Sequence, residues 1–156
     1  MDRKAVIGID PGKSGGYCYN IGSNMHLHKW RDAKTAAKNL YKLKKECEES
    51  MTPIVIYLEK VSASPIMGQS SAFKFGENYG QWQGLLDALD MDFILVAPQS
   101  WQMYLKKPND LRGQPLKRWL KMQAMNRFGD FEVEGDRITL ATCDALLIWE
   151  FGRRHL

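Results

Sequence analysis

The chain has little cysteine. Cys18, Cys47 and Cys143 are odd in number and far apart. Their spacing fits neither a zinc cage nor a disulfide framework, so reduced thiols are expected. There is also no apolar run long enough to cross a bilayer as a helix. Met1-Asp2-Arg3-Lys4 leads into a strand pattern instead of a signal peptide, so the expectation is a cytoplasmic protein with no membrane partner. No internal repeat and no low-complexity linker interrupts the chain, as expected of a single domain over residues 1–156. Nor is there a large charge of one sign. Lys plus Arg number 22 against 18 for Asp plus Glu, a net charge of +4. That excess does not establish nucleic-acid binding by itself, but it disfavours an acidic interaction tail. The Gly-Lys-Ser/Thr ending of a nucleotide-binding P-loop is missing after Pro11-Gly12-Lys13-Ser14-Gly15-Gly16.

What is present is an ordinary globular mix, 44% hydrophobic and 26% charged over 156 residues, enough for a substantial core. Hydrophobic periodicity predicts strands at 4–10, 17–21, 25–30, 54–59 and 93–96. It predicts helices at 33–49, 70–89, 98–106, 116–128 and 142–154. Gly22-Ser23-Asn24 reads as a hairpin turn between the second and third strands. Segments 61–69, 107–114 and 129–136 read as loops, the last of them acidic and exposed. Early strands followed by alternating helices and strands imply an α/β fold with a mixed sheet. The strands ending in Asp10 and Glu59 flank a helix, so they can be parallel neighbours whose C-terminal ends share one edge.

Three acids stand where an acid is costly. Asp10 closes Ala5-Val6-Ile7-Gly8-Ile9, and Glu59 closes Ile54-Val55-Ile56-Tyr57-Leu58. Asp144 shares a helical stripe with Ala141, Ala145, Ile148 and Phe151. A carboxylate on buried structure needs a partner, hydrogen bonds or a metal. Each also has a plainer reading. Asp10 can start a turn before Pro-Gly, Glu59 can face solvent beside Lys60 or Lys4, and Asp144 can complement a helix N-terminus. Taken together they point to a divalent-metal site, and the basic balance of the chain points to a polyanionic substrate.

Two further patterns stand out. Gly76, Gly80 and Gly84 lie on one line of the 70–89 helix, where each costs roughly 1 kcal/mol against alanine. Close packing within the chain is the expected reason, with a second subunit as the other option. Basic residues Lys106, Lys107, Arg112, Lys117, Arg118, Lys121 and Arg127 crowd the second half, and Arg153, Arg154 and His155 close the chain. Trp101, Tyr104 and Trp119 are interleaved with them, which suits phosphate contacts with occasional base stacking. The plainer reading is a solvated helix face.

At this point the chain resembles RuvC-type Holliday junction resolvases. Ile7-Gly8-Ile9-Asp10-Pro11-Gly12 with Gly15-Gly16 is similar to their first motif. Leu58-Glu59-Lys60, Met67-Gly68-Gln69-Ser70-Ser71 and Phe75-Gly76-Glu77-Asn78-Tyr79-Gly80 are similar to the second acidic motif and the helix after it. Ala97-Pro98-Gln99-Ser100-Trp101-Gln102 is similar to a segment of phage-type members, and Asp144-Ala145-Leu146-Leu147-Ile148 to the final motif. The segments lie in order over nearly the whole chain.

The resemblance implies an RNase H-like α/β fold and a homodimer that cleaves Holliday junctions or other branched DNA by paired nicks. If the protein is phage-encoded, it would act in the cytoplasm of a bacterial host. By position Asp10, Glu59 and Asp144 take the catalytic acidic places and would hold Mg²⁺ or Mn²⁺, as a pair of ions. Lys117 takes that of a basic residue near the scissile phosphate. Family members usually carry an acid or histidine three residues before the last aspartate; Ala141 stands there, and Asp136 is the nearest candidate for a fourth ligand. Lys13, Lys60, Lys74, Arg112, Arg118 and Lys121 are the candidate DNA contacts. The alternatives are a less selective flap, fork or hybrid nuclease, a junction-binding protein with weakened catalysis, and an actin-like nucleotide binder.

Overall fold

A computed structural model describes residues 4–62 and 64–155. In chain order the elements are β1 (Ala5–Asp10), β2 (Gly16–Ile21), β3 (Asn24–Lys29), α1 (Ala33–Glu49), β4 (Ile54–Glu59), α2 (Gln69–Ala88), β5 (Ile94–Val96), α3 (Pro98–Tyr104), α4 (Gly113–Phe128), β6 (Val133–Gly135) and α5 (Cys143–Arg154). The strands form one mixed sheet in the order β5-β4-β1-β2-β3-β6. β1, β2 and β3 are an antiparallel meander, and Gly22, left-handed at φ 58°, makes the tight turn of its second hairpin. β4 returns parallel to β1 after α1, and β5 is parallel to β4.

The period of two along a strand decides which helix each side chain meets. Ala5, Ile7 and Ile9 of β1, with Ile56 and Leu58 of β4, face one core together with the apolar stripe Ala36, Leu40, Leu43 and Cys47 of α1 and with Trp82 and Leu86 of α2. Val6 and Tyr57 face the other core, built on α3, α4 and α5. By the same alternation Asp10 and Glu59 point to the α5 side. α5 can lie directly on β1 because residue 8 has no side chain. A Cβ at Gly8 would come within 2.7 Å of the Ala145 carbonyl oxygen and collide with the backbone of Trp149. Every residue of α5 from Cys143 to Glu150 is buried, so this helix is not the one-sided stripe expected from its periodicity; it is enclosed by the sheet and by α4.

Two expectations fail here. The acidic segment 129–136 is not simply an exposed loop, because β6 within it pairs parallel with β3. Three residues with a single apolar member carry no readable period. The strand is held instead by ladder bonds and by Asp136, which accepts from the Lys29 backbone N–H and from both terminal nitrogens of Arg31, each at 2.9 Å. The glycine line of α2 is not packed against other described residues of the chain either. Gly76, Gly80 and Gly84 have nothing within 4 Å of where a Cβ would stand. The three cysteines are separate, free and buried. Among the described residues, no helix is long and apolar enough to cross a membrane.

Candidate metal centre

Ile9 of β1 and Leu58 of β4 are the last pair of their parallel ladder, so Asp10 and Glu59, one step further, end adjacent strands on the same face. The first turn of α5 brings Asp144 to the same place, and α4 adds Lys117 at its N-terminal end. The four side chains line one open cavity of about 440 Å³. The turn after β1, from Pro11 to Gly15, forms another wall, and Ser71, Lys74 and Phe75 of α2 face it.

That turn is held from behind. The buried Asn78 of α2 accepts a hydrogen bond at 2.6 Å from the Gly12 N–H. Gly12 itself has φ 121°, a conformation that L side chains rarely adopt. Gly15 closes the turn through its N–H to the Gly12 carbonyl at 3.0 Å, and a Cβ there would strike the Asp10 carbonyl group.

The electrostatics are those of a site short of positive charge. Burial pushes the Asp10 carboxyl well above its ordinary range, and the charges of Asp144 and Glu59 push it further, against the pull of Lys117. Glu59 is pushed up to about 7, by burial first and by Asp144 second, while the hydrogen bond from Trp101 and the charge of Lys117 oppose the shift. Lys117 donates to Asp144 Oδ2 at 3.1 Å. Burial works against the Lys117 charge, but Asp144 and Asp10 outweigh it and hold the ammonium firmly protonated. One cation shared among three carboxylates leaves mutual repulsion that a divalent ion would relieve. The donor set is all hard oxygen, which suits Mg²⁺ or Mn²⁺. Among the described residues no three acid, histidine or cysteine side chains stand close enough together, as placed, to hold a metal ion. Lys117 reaches into the cluster instead.

The other candidates divide. Lys13 and Lys74 line the cavity, and Lys60 lines a second cavity of about 370 Å³ on the far side of Glu59. Arg112, Arg118 and Lys121 are exposed at the start of α4 and along it, outside the cavity wall. The structure does not bring Asp136 to the acids. Its carboxylate lies at the β3–β6 edge, where Arg31 and the Lys29 N–H hold it and depress its pKa to about 2. Ala141 places no oxygen or nitrogen side-chain ligand near the site. Trp101 cannot serve as a stacking platform, since it is 0% exposed and donates its indole N–H to Glu59 Oε2 at 2.7 Å. Arg127 of the basic run is engaged too, with Glu150 at 3.0 Å. Asn78 and the Trp101–Glu59 bond gave no signal in the sequence, because each depends on which helix packs behind which strand end.

No family model matches the chain, and no curated protein matches it. Solved structures do. The chain is similar to Thermus thermophilus RuvC in complex with a Holliday junction substrate, with 17% identity, coverage of 98% of this chain and 96% of that one, and a TM-score of 0.56. It is similar also to the Thermus thermophilus RuvC structure, with 18% identity, coverage of 97% and 96%, and a TM-score of 0.54. Over the described residues, the chain has the RNase H-like α/β fold seen in RuvC.

Proposed function

We propose that the protein is a metal-dependent, structure-selective endonuclease that cuts four-way DNA junctions by paired nicks from a homodimer. The observation that carries this reading is the convergence of Asp10, Glu59 and Asp144 on one cavity with Lys117 as their only basic partner at hydrogen-bond distance among the described residues. The similarity in fold to RuvC, solved with junction DNA, supports the choice of substrate.

The chain's own residues divide the work. Asp10, Glu59 and Asp144 would hold Mg²⁺ or Mn²⁺. When bound, such ions supply Lewis-acid activation of water and of the phosphodiester. The cluster repels phosphate while it lacks a metal, so cation uptake and DNA engagement favour each other. Lys117 offers an ammonium at the cavity wall, where negative charge builds on the scissile phosphate. Lys13 and Lys74 flank the cavity and can hold the neighbouring phosphates, and Arg112, Arg118 and Lys121 extend the basic track along α4. The cavity is open and flanked by Lys13 and Lys74, which suits a phosphate backbone. A second copy fits the symmetry of a four-way junction, and the glycine line of α2, uncovered among the described residues, offers it an open face.

The test is cleavage of a synthetic four-way junction in Mg²⁺, with flap, RNA–DNA hybrid and linear duplex alongside. Symmetric nicks on the junction, absent from Asp10→Asn and Glu59→Gln although both still bind it, are the expected result. Full activity in either variant, or equal cutting of linear duplex, overturns the reading.

A further inference from the structure

We infer that Trp101 is a positioning residue for Glu59, its indole N–H fixing one carboxylate oxygen so that the other is presented to a divalent cation. The inference rests on the reading of Asp10, Glu59 and Asp144 as cation ligands and names the group that orients one of them.

The backbone brings the two residues together. β5 pairs with β4 as far as Val96 opposite Glu59, and the Lys60 N–H donates to the Val96 carbonyl at 2.7 Å. Ala97 then caps α3, with Pro98 at its first position, so the helix begins beside the end of β4. Its first turn delivers Trp101, 0% exposed, with Nε1 2.7 Å from Glu59 Oε2. Among the described residues this is the only hydrogen bond the Glu59 carboxylate receives, and Oε1 is left free. Indole nitrogen donates only. It therefore fixes a carboxylate oxygen without competing with a cation for a lone pair of its own. Ligands of metal sites are commonly oriented by such outer partners.

The alternative is that Trp101 merely fills the core and its N–H uses whatever acceptor lies near. Trp82 argues against this. Its Nε1 is equally buried and, among the described residues, has no hydrogen-bond partner. Among the described residues this fold thus houses one buried indole N–H without a hydrogen-bond acceptor, so the bond from Trp101 to the Glu59 carboxylate is not a requirement of packing.

The experiment titrates Mn²⁺ into the full-length protein without DNA and reads free Mn²⁺ by electron paramagnetic resonance. Wild type, Trp101→Phe, Glu59→Gln and the double variant are compared below their melting temperatures. Trp101→Phe is expected to bind Mn²⁺ about tenfold more weakly than wild type. In the Glu59→Gln background the same change should add nothing, because the residue acts through Glu59. Should Trp101→Phe fail to fold, benzothienylalanine at 101 keeps the ring shape and removes only the N–H. Wild-type affinity in Trp101→Phe, or an equal loss with and without Glu59, overturns the inference. If wild type itself takes up no Mn²⁺, the metal reading fails, and this inference falls with it.

Discussion

Lys117 Nζ lies 3.1 Å from Asp144 Oδ2, and this contact ties the N-terminal end of α4 to that of α5. Further along the same pair of helices, Arg127 meets Glu150 at 3.0 Å, and its guanidinium stands over the ring of Tyr104. Glu150 is 8% exposed at its side chain, so removing Arg127 would strand a buried charge. The second contact thus joins the same two helices at a point beyond the acids. The first leaves an ammonium, 46% exposed at its side chain, where a substrate phosphate would arrive.

Lys117→Met separates two roles. If the ammonium serves the reacting phosphate, nicking should fall by about 10²-fold, the scale seen when one preorganised charge donor is removed. The affinity for Mn²⁺ should hold or rise, because a cation competing for Asp144 has gone. Single-turnover cleavage at saturating metal, beside a Mn²⁺ titration, checks both. A parallel loss of metal binding would show that Lys117 supports the site only structurally.

The raised acids predict how the metal-free protein responds to pH. The Glu59 pKa moves from 4.5 unfolded to about 7 folded, and that of Asp10 moves in the same direction. The folded state therefore binds protons more tightly, and these groups stabilise it most at low pH. That contribution is lost as pH rises through the window between the two Glu59 values. In EDTA the melting temperature should fall from pH 5 toward pH 7.5, and the slope should shrink in Glu59→Gln. In Mg²⁺ the trend should reverse, since the cation needs the deprotonated acids. Circular dichroism melts in both buffers read the sign directly. A flat profile in EDTA would mean that neither burial nor the neighbouring charges raise Asp10 and Glu59 in the folded protein.

The open face of α2 makes a prediction that does not depend on catalysis. Among the described residues nothing lies within 4 Å of a Cβ built at Gly80, so Gly80→Ala should stabilise the helix by roughly 1 kcal/mol. Phe73, 75% exposed, lies on the same helix one turn earlier than Gly76. If two copies meet on this face, Gly80→Arg should give a monomer by sedimentation while its Mn²⁺ affinity stays at the wild-type value. Its junction products should then be single nicks. Persistence of a dimer in Gly80→Arg would move the interface elsewhere.

Much of this was legible because strand period and helix stripe are local properties. The apolar runs before Asp10 and Glu59 identify buried strands, and the intervening α1 pattern makes them parallel, which alone places the two acids side by side. Asp144 was legible as a costly acid, although α5 is enclosed on every side and its stripe understates the burial. β6 was not legible, because three residues held by ladder bonds and by one ion pair from 105 positions away carry no period. Trp101 was misread as a stacking surface for the same kind of reason. A tryptophan among lysines looks the same in sequence whether its ring faces solvent or the end of a neighbouring strand. The glycine line showed that close approach was possible, but not whether the approaching surface lies within the chain.

Asp136 was the nearest acid available to replace the missing fourth ligand, and its position in the structure assigns it other work. Both carboxylate oxygens accept from Arg31 at 2.9 Å, and Oδ2 also takes the Lys29 N–H. The Arg31 hydrogen bonds are the main reason its pKa is depressed to about 2 from the usual 3.8. A depressed acid contributes stability that is present above its unfolded value and is lost as pH falls through the folded one. Asp136→Asn should therefore leave Mn²⁺ affinity and nicking rate unchanged while lowering stability by roughly 0.5–1 kcal/mol, as for a partly exposed ion pair. The deficit should shrink in melts as pH falls from 4 toward 2, where wild type progressively loses the same contact. Amide exchange at Gly135 and Asp136 should quicken at neutral pH, because the Asp136 N–H bonds the Leu27 carbonyl at 2.7 Å and the side chain holds that edge in place. A variant that keeps its stability but loses Mn²⁺ binding would return Asp136 to the metal site.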